Sequence, residues 1–487
     1  MISDQTLISS LYGEELAHKI IQSQAPISSY LEAVKDAHLT SNRDWKILDN
    51  LRTADSLAKD NDQNRVVSFC EKLNEYSWIN LRDWGYGCFT RYHSQLYIYR
   101  HTHFVEVGED FMIHALQILG LAFDLKPENY LKAKFIEDCK KQMLVSAQAA
   151  ELPPPTECVV NFLNGTYKFT DEGKASKNIS DKPIFFFDYR LPFEFDQFAE
   201  CPDFDNFLSE VVGEKECISF LYEFLGSAFF TPNEILRVNR EKGLILHGIG
   251  ANGKSVFFNV CKALFGKDQV SHLSPTDLKS EFMRYGLNNK KINWCSDADS
   301  GWQSSLMKQL VSREPTEANV KNKTPVTMDR LPVQVVNTNE LPSADDVTNG
   351  WFRRFDIVHF EKSIPREKQQ PNLAADLKLE LPGIFNKVMK GRYRLLENKD
   401  FTTSPKINKA NAEYENFENT AKAFIEAKQM VRDANWRIGK GDAFGDYQKW
   451  CAVNACKSLS QRKFNGYLGT KFEEIKSSNV YWCARYS

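Results

Sequence analysis

Gly248-Ile249-Gly250-Ala251-Asn252-Gly253-Lys254-Ser255 follows the pattern G-x-x-x-x-G-K-[ST], in which a curled backbone aims several N–H groups at one phosphate. Glycine permits that curl. Lys254 is placed to reach the terminal phosphates, and Ser255 offers a hydroxyl to Mg²⁺. Eight residues can match by chance, so the flanks decide. Gly243-Leu244-Ile245-Leu246-His247 before the loop is a short apolar run, as a buried strand is. Val256, Phe257, Val260, Ala263 and Leu264 follow at helical spacing, and Gly266 supplies a stop. The expectation is a strand, a phosphate-binding loop and a helix, within an α/β fold whose central sheet is parallel.

Downstream, further segments carry the residue types that phosphoryl transfer needs. Lys291-Ile292-Asn293-Trp294-Cys295-Ser296-Asp297-Ala298-Asp299 reads as a strand ending in two carboxylates. Residues i and i+2 of an extended chain share a face, so Asp297 and Asp299 converge. We assign Asp297 to Mg²⁺ and Asp299 to the attacking water, although the spacing alone allows the reverse, or a solvated acidic turn. Leu331-Pro332-Val333-Gln334-Val335-Val336-Asn337-Thr338-Asn339 is a second apolar strand, ending in Asn339, a candidate partner for the terminal phosphate or the water. Trp351-Phe352-Arg353-Arg354-Phe355-Asp356-Ile357-Val358 sets Arg353 and Arg354 before a third strand, where either can serve a neighbouring subunit's site.

This ordered set of GIGANGKS, SDAD, VVNTNELP and WFRRFDIVHF resembles superfamily 3 DNA helicases, in particular the phage, plasmid and poxvirus-type primase-helicase branch. Tyr189 to Phe193, Ala199 to Leu208 and Leu379 to Asn386 resemble segments flanking the core in that branch. The resemblance spans roughly residues 100–400. It implies an AAA+-like core, ATP and Mg²⁺ as cofactors, a hexameric homo-oligomer with ATP between subunits, and single-stranded or forked DNA as partner. By motif position it favours Arg354 over Arg353 as the trans-acting arginine. It also makes the stretch from Leu310 to Val326 a hairpin facing DNA, with Lys321 and Lys323 as backbone contacts. Residues 1–100 lack a strand-borne Asp-x-Asp pair with a partner histidine. Primer synthesis by this chain is therefore not expected, and a separate primase or polymerase is.

The bulk numbers agree with a globular chain of about three domains. Of 487 residues, 42% are hydrophobic and 26% charged, with a net charge of −2. Any basic surface is therefore local. Eleven cysteines without a C-x-x-C pair point to reduced thiols and no structural zinc. No signal peptide or membrane-spanning run is evident, so a cytoplasmic location is expected.

We divide the chain into an N-terminal helical region (1–100), an α+β region with a helical collar (101–235), the ATPase core (236–400) and a small C-terminal domain (401–487). Residues 159–195 read as strands, with Asn164-Gly165 as a hairpin turn. The polar stretch Lys399 to Lys409, with Pro405, reads as a linker. From Val431 onward ten basic residues face five acidic ones. Ser460 caps a helix running to Phe472, with Phe464, Leu468 and Phe472 on its buried stripe and Arg462, Lys463 and Lys471 largely off it. Val480 to Tyr486 reads as a strand. Helices followed by a short strand element suggest a winged-helix DNA-binding module. Two other functions fit the same motifs: an initiator, origin-remodelling or helicase-loading ATPase, and a nucleotide-gated DNA-binding scaffold.

Overall fold

A computed structural model describes residues 66–67, 70, 89–92, 95–100, 103–108, 112–113, 128, 131–146, 148–149, 157–170, 173–177 and 186–486, the last range with breaks at 239–240, 249, 251, 297–301, 321–324, 343–348, 363, 366, 368, 419, 457, 470 and 477–479. Most of the region 1–100, read as helical, lies outside these. The chain divides into two units, one made of residues 1–155, 159–168 and 176–190, the other of 156–158, 169–175 and 191–487.

The N-terminal part holds two small sheets, and the first of them begins within the region read as helical. β1 (Phe89–Tyr92), β2 (Gln95–Arg100) and β3 (His103–Glu106) make an antiparallel meander. After α1 (Ala133–Ser146), β4 (Gln148–Ala149) joins β1 in parallel. Phe186 stacks between Tyr92 and Phe104, at 4.0 and 4.6 Å. β5 (Cys158–Phe162) and β6 (Gly165–Phe169) meet at the Asn164-Gly165 turn, where Gly165 has φ 126°. β7 (Ala175–Lys177) completes that sheet in the order β5-β6-β7.

The strand expectation fails from residue 186 to 195, which has no regular structure. Phe187, Tyr189, Leu191, Phe193 and Phe195 are nevertheless all buried. Their alternation is real, but Pro192 removes a ladder donor, and the chain buries aromatic rings without pairing.

The second unit opens with α2 (Pro202–Val211) and α3 (Lys215–Gly226), separated at Gly213, whose φ is 83°. The core then follows: β8 (Gly243–His247), α4 (Lys254–Phe265), β9 (Val270–Ser271), β10 (Ile292–Cys295), α5 (Ser304–Val311), the antiparallel hairpin β11 (Thr316–Ala318) and β12 (Val326–Met328), β13 (Val333–Thr338), α6 (Asn349–Phe352) and β14 (Phe355–His359). The five-stranded sheet has the order β14-β8-β13-β10-β9, with every neighbour parallel. All three chemistry-bearing strand ends therefore emerge on one edge, where parallel sheets hold ligands.

α7 (Leu373–Leu377) leads to α8 (Leu381–Asn398) and α9 (Pro405–Glu418). The expected linker is thus shorter than the polar run suggested. Pro405 opens α9, and the Ser404 hydroxyl accepts from the Ile407 N–H at 3.1 Å. Proline at a first helical position sacrifices no bond. α9 shields edge strand β14: Asn411 accepts from the Ile357 N–H at 3.0 Å and donates to Asp356 at 2.8 Å. An uncovered edge would invite pairing with another chain.

α3 and α8 pack backbone to backbone. A Cβ on Gly391 would lie 2.5 Å from the Tyr222 carbonyl carbon, and one on Gly226 would lie 2.7 Å from the Arg392 nitrogen. Polar groups lock the same contact. Buried Glu223 accepts from Arg394 and from the Thr402 N–H, and buried Arg392 pairs with Glu234.

The C-terminal part comprises α10 (Thr420–Ala427), β15 (Val431–Arg432), β16 (Ile438–Gly439), α11 (Lys440–Val453), α12 (Gln461–Gly469), β17 (Glu474–Lys476), β18 (Val480–Trp482) and β19 (Ala484–Arg485). β16, β18 and β17 form an antiparallel sheet in that order, and β15 pairs with β19. Tyr447 stacks on Phe464 at 4.4 Å. Ser460 accepts from the Lys463 N–H at 3.4 Å, as expected of a cap, though α12 ends at Gly469 rather than Phe472. No described helix is long and apolar enough to cross a membrane.

Candidate functional site

The glycine loop leaves β8 and opens α4 at Lys254, as its flanks require. Gly253 caps the helix with φ 89°, and a Cβ there would stand 2.9 Å from Val211 of α2. Only glycine meets both demands. Gly248 is equally confined, since a Cβ would lie 2.6 Å from the Phe360 carbonyl oxygen. Asn252 is buried and donates to that same oxygen at 3.1 Å, tying the loop to the end of β14.

The ammonium of Lys254 turns back into the loop. It donates to the Gly248 carbonyl and, at 3.3 Å, to Oδ1 of Asn339 just beyond β13. Two residues 85 positions apart thus meet at the strand ends. Burial holds the Lys254 pKa below the ordinary lysine value. The polar ends of this group surround a cleft of about 960 Å³, lined by Gly250, Asn252, Gly253, Lys254, Ser255, Ser296, Asn337, Thr338 and Asn339. Its other walls carry Asp203, Asn206, Phe207 and Glu210 of α2, and Gln369, Gln370, Asp376 and Leu377 around α7. The cleft thus has one cation, Lys254, on the loop side, and acidic groups mixed with amides and apolar side chains on the other.

Next to the loop, His247 and His359 pair on β8 and β14 with Nδ1 atoms 2.8 Å apart. One proton serves both. Burial pushes both pKa values down, and each ring lies in the field of a further charge, His247 beside Lys254 and His359 beside Lys406, Glu361 and Glu413.

Of the remaining sequence candidates, Ala251, Asp297, Asp299, Lys321 and Lys323 lie outside the described residues. Ser296, directly before Asp297, lines the cleft. The strands flanking Lys321 and Lys323 pair as the expected hairpin, with Thr316 opposite Met328.

Arg353 and Arg354 differ sharply. Arg354 is only 12% exposed and donates to Ser312 at 3.0 Å and the Gly350 carbonyl at 2.9 Å, besides pairing with Glu241 at 3.0 Å. Arg353 is 65% exposed and, among the described residues, makes only an ion pair with Glu241, at 3.1 Å. Arg354 is thus the more buried and more heavily bonded of the two, and Arg353 the more exposed. In the C-terminal part Arg462, Lys463 and Lys471 are exposed, the first two on α12 and the third just past its end.

Residues 81–213 match the family described as D5 N terminal like. Residues 246–354 match a family of unknown function (DUF5906). That second segment starts inside β8 and ends on Arg354, so it contains every core candidate from Gly248 onward. No curated protein sequence matches significantly. Among solved structures, an A-form apo structure of the NrS-1 C terminal region is 13% identical, with a TM-score of 0.45, covering 82% of this chain and 96% of that one. A second apo structure of that region, residues 305–718, is 14% identical, with a TM-score of 0.44, covering 82% and 95%.

The sequence reading missed the second wall of the cleft. Asp203, Asn206, Phe207 and Glu210 recur at helical spacing on α2, but nothing in the sequence says that this face meets the loop. The close approach at Gly253, enforced by Val211 and Phe207, is what brings it there.

Proposed function

We propose that this chain is an ATP-dependent replicative DNA helicase of a mobile element or virus, of the superfamily 3 type, working as a homohexameric ring on single-stranded and forked DNA. One observation carries the reading. Lys254 and Asn339 meet at 3.3 Å under a glycine loop, on the open edge of an all-parallel sheet. An AAA+-like P-loop site requires that conjunction, and an ordinary glycine turn does not.

The phosphates of ATP would lie along Gly248 to Ser255, with the base towards Phe207 of α2. Ser255 and Asp297 would hold Mg²⁺, which spreads charge off the terminal phosphates. Asp299 would draw a proton from water while Asn339 orients the terminal phosphate. The more exposed arginine, Arg353, suits reaching into the neighbour's cleft. Lys321 and Lys323, on the β11–β12 hairpin, would grip the DNA backbone. With the β15–β19 pair set aside, the order α10, β16, α11, α12, β17, β18 fits a winged helix, with Arg462, Lys463 and Lys471 against duplex phosphates. A separate primase or polymerase would supply primers in the host cytoplasm.

The test is Mg²⁺-dependent ATP turnover with and without single-stranded DNA, and strand displacement on a fork, for wild type and Lys254→Ala. DNA-stimulated turnover and unwinding, both lost in the variant, are expected. The winged-helix-like topology favours one other reading, an origin-remodelling or helicase-loading ATPase. Turnover without strand displacement would select it. DNA binding with no turnover would leave a nucleotide-gated scaffold and overturn the catalytic assignments.

A further inference from the structure

Strand β13 and the residue just beyond it bring two amides to the cleft, and only Asn339 has a role so far. Asn337 lies two residues earlier, within β13, and lines the same cleft. It is buried to 5% exposure, yet it lines the cleft. Its Oδ1 accepts a hydrogen bond from the indole N–H of Trp294 at 3.0 Å. An indole nitrogen only donates. The carbonyl end of the Asn337 amide must therefore face Trp294, which settles its flip. The amide nitrogen is left with no recorded partner among the described residues.

Trp294 is itself immobilised. It is fully buried on β10 and packs against Phe257 and Phe258 of α4, at 5.6 and 5.3 Å. α4 is the helix that begins at Lys254. The ring that aims Asn337 is thus clamped by the element that carries the phosphate-binding lysine.

Asn339 shows the same polarity, because its Oδ1 is taken by Lys254. In both amides the oxygen is occupied, by Trp294 and by Lys254, which leaves two NH₂ ends beside an ammonium. Two amide donors beside an ammonium suit an acceptor-only ligand. They do not suit activation of a water, which needs an acceptor for the water's proton.

We propose that Asn337, aimed by Trp294, is a second donor to the terminal phosphoryl group, and that it makes the cleft distinguish nucleoside triphosphates from diphosphates. The inference rests on the reading of the cleft as an ATP site. Asn337 would touch substrate. Trp294 would act only through it, as a positioning residue.

The experiment compares the affinities of Mg-ADP and of a non-hydrolysable Mg-ATP analogue, together with kcat, for wild type, Asn337→Asp, Trp294→Phe and Lys254→Ala. Thermal melts confirm folding. In Asn337→Asp the side chain keeps an acceptor for the indole but turns a carboxylate towards the phosphate. It should bind ADP within about twofold of wild type and lose roughly ten- to hundredfold in analogue affinity, as for one charge-assisted hydrogen bond. Trp294→Phe keeps an aromatic ring but frees the amide, and a smaller loss in the same direction is expected, with kcat falling and ADP affinity retained. Equal loss of both affinities in the two variants would make Asn337 a structural amide and overturn the inference, as would wild-type discrimination in both. In either case Lys254→Ala still reports on the underlying reading: its loss of both nucleotides leaves that reading standing. Wild type that binds neither nucleotide overturns both.

Discussion

Replacing Arg353 and Arg354 in turn separates a role in catalysis from a role in the fold. Arg354→Ala removes two hydrogen bonds from a charged donor to Ser312 and Gly350, and an ion pair with Glu241, at a side chain that is mostly buried. Bonds of that kind contribute about 1.5–3 kcal/mol each and do not add fully. Glu241 retains Arg353, so a net loss of roughly 2–4 kcal/mol is expected. That corresponds to a melting temperature lower by about 5–10 °C. Arg353→Ala removes one exposed ion pair, which contributes about 0–1 kcal/mol, and its melt should be nearly unchanged. Its ATP turnover should nevertheless fall by about 10³-fold or more, the usual cost of losing an arginine that serves a neighbour's transition state. Phosphate-release kinetics on the assembled protein with single-stranded DNA measure this. Mixing Arg353→Ala with Lys254→Ala adds a positive test: each is inactive alone, but mixed interfaces that pair an intact Lys254 with an intact Arg353 should regain turnover. Wild-type turnover in Arg353→Ala, or a mixture that stays inactive, would refute the trans role. A folded Arg354→Lys that alone loses turnover would transfer that role to Arg354.

Gly391→Ala should destabilise the protein by about 3 kcal/mol or more, because the new methyl has only Tyr222 backbone to displace; urea unfolding reads it. The His247–His359 pair predicts a pH dependence with a definite sign. Both folded-state pKa values are depressed, so the unfolded chain binds protons first, and stability is lost as pH falls below the ordinary imidazole value of about 6.5. Melts from pH 7.5 to 5.5 should show the decline, and His359→Gln should flatten it. Charge reversal at Arg462 and Lys463 should leave the melt and single-strand-stimulated turnover intact. It should weaken duplex binding and lower the slope of log affinity against log salt by about two.

The core strands were legible because each is a short apolar run ending in a polar residue, the signature of a buried parallel strand. The glycine loop was legible because its backbone demands restrict which residues can fill it. What escaped depended on tertiary approach. Arg353 and Arg354 are identical in type and adjacent in sequence, and only the position of Ser312 and Glu241 tells them apart. Asn337 read as strand interior, because the sequence does not show that an indole 43 residues away would fix its amide. The aromatic stretch from Phe186 to Phe195 read as strand for the converse reason: alternation reports burial, and burial does not require a pairing partner.

The glycine contact between α3 and α8 has a consequence for how this chain is made. α3 ends at Gly226 and α8 begins at Leu381, so the whole parallel sheet is synthesised between the two halves of one helical clasp. During translation α3 emerges with its glycine face and Glu223 unmatched, and it stays so until α8 clears the ribosome. Closing so long a loop is entropically slow. A nascent chain stalled before Leu381 should hold a partly formed sheet and an open α3, whereas one released past Thr402 should become protease-resistant in a single step.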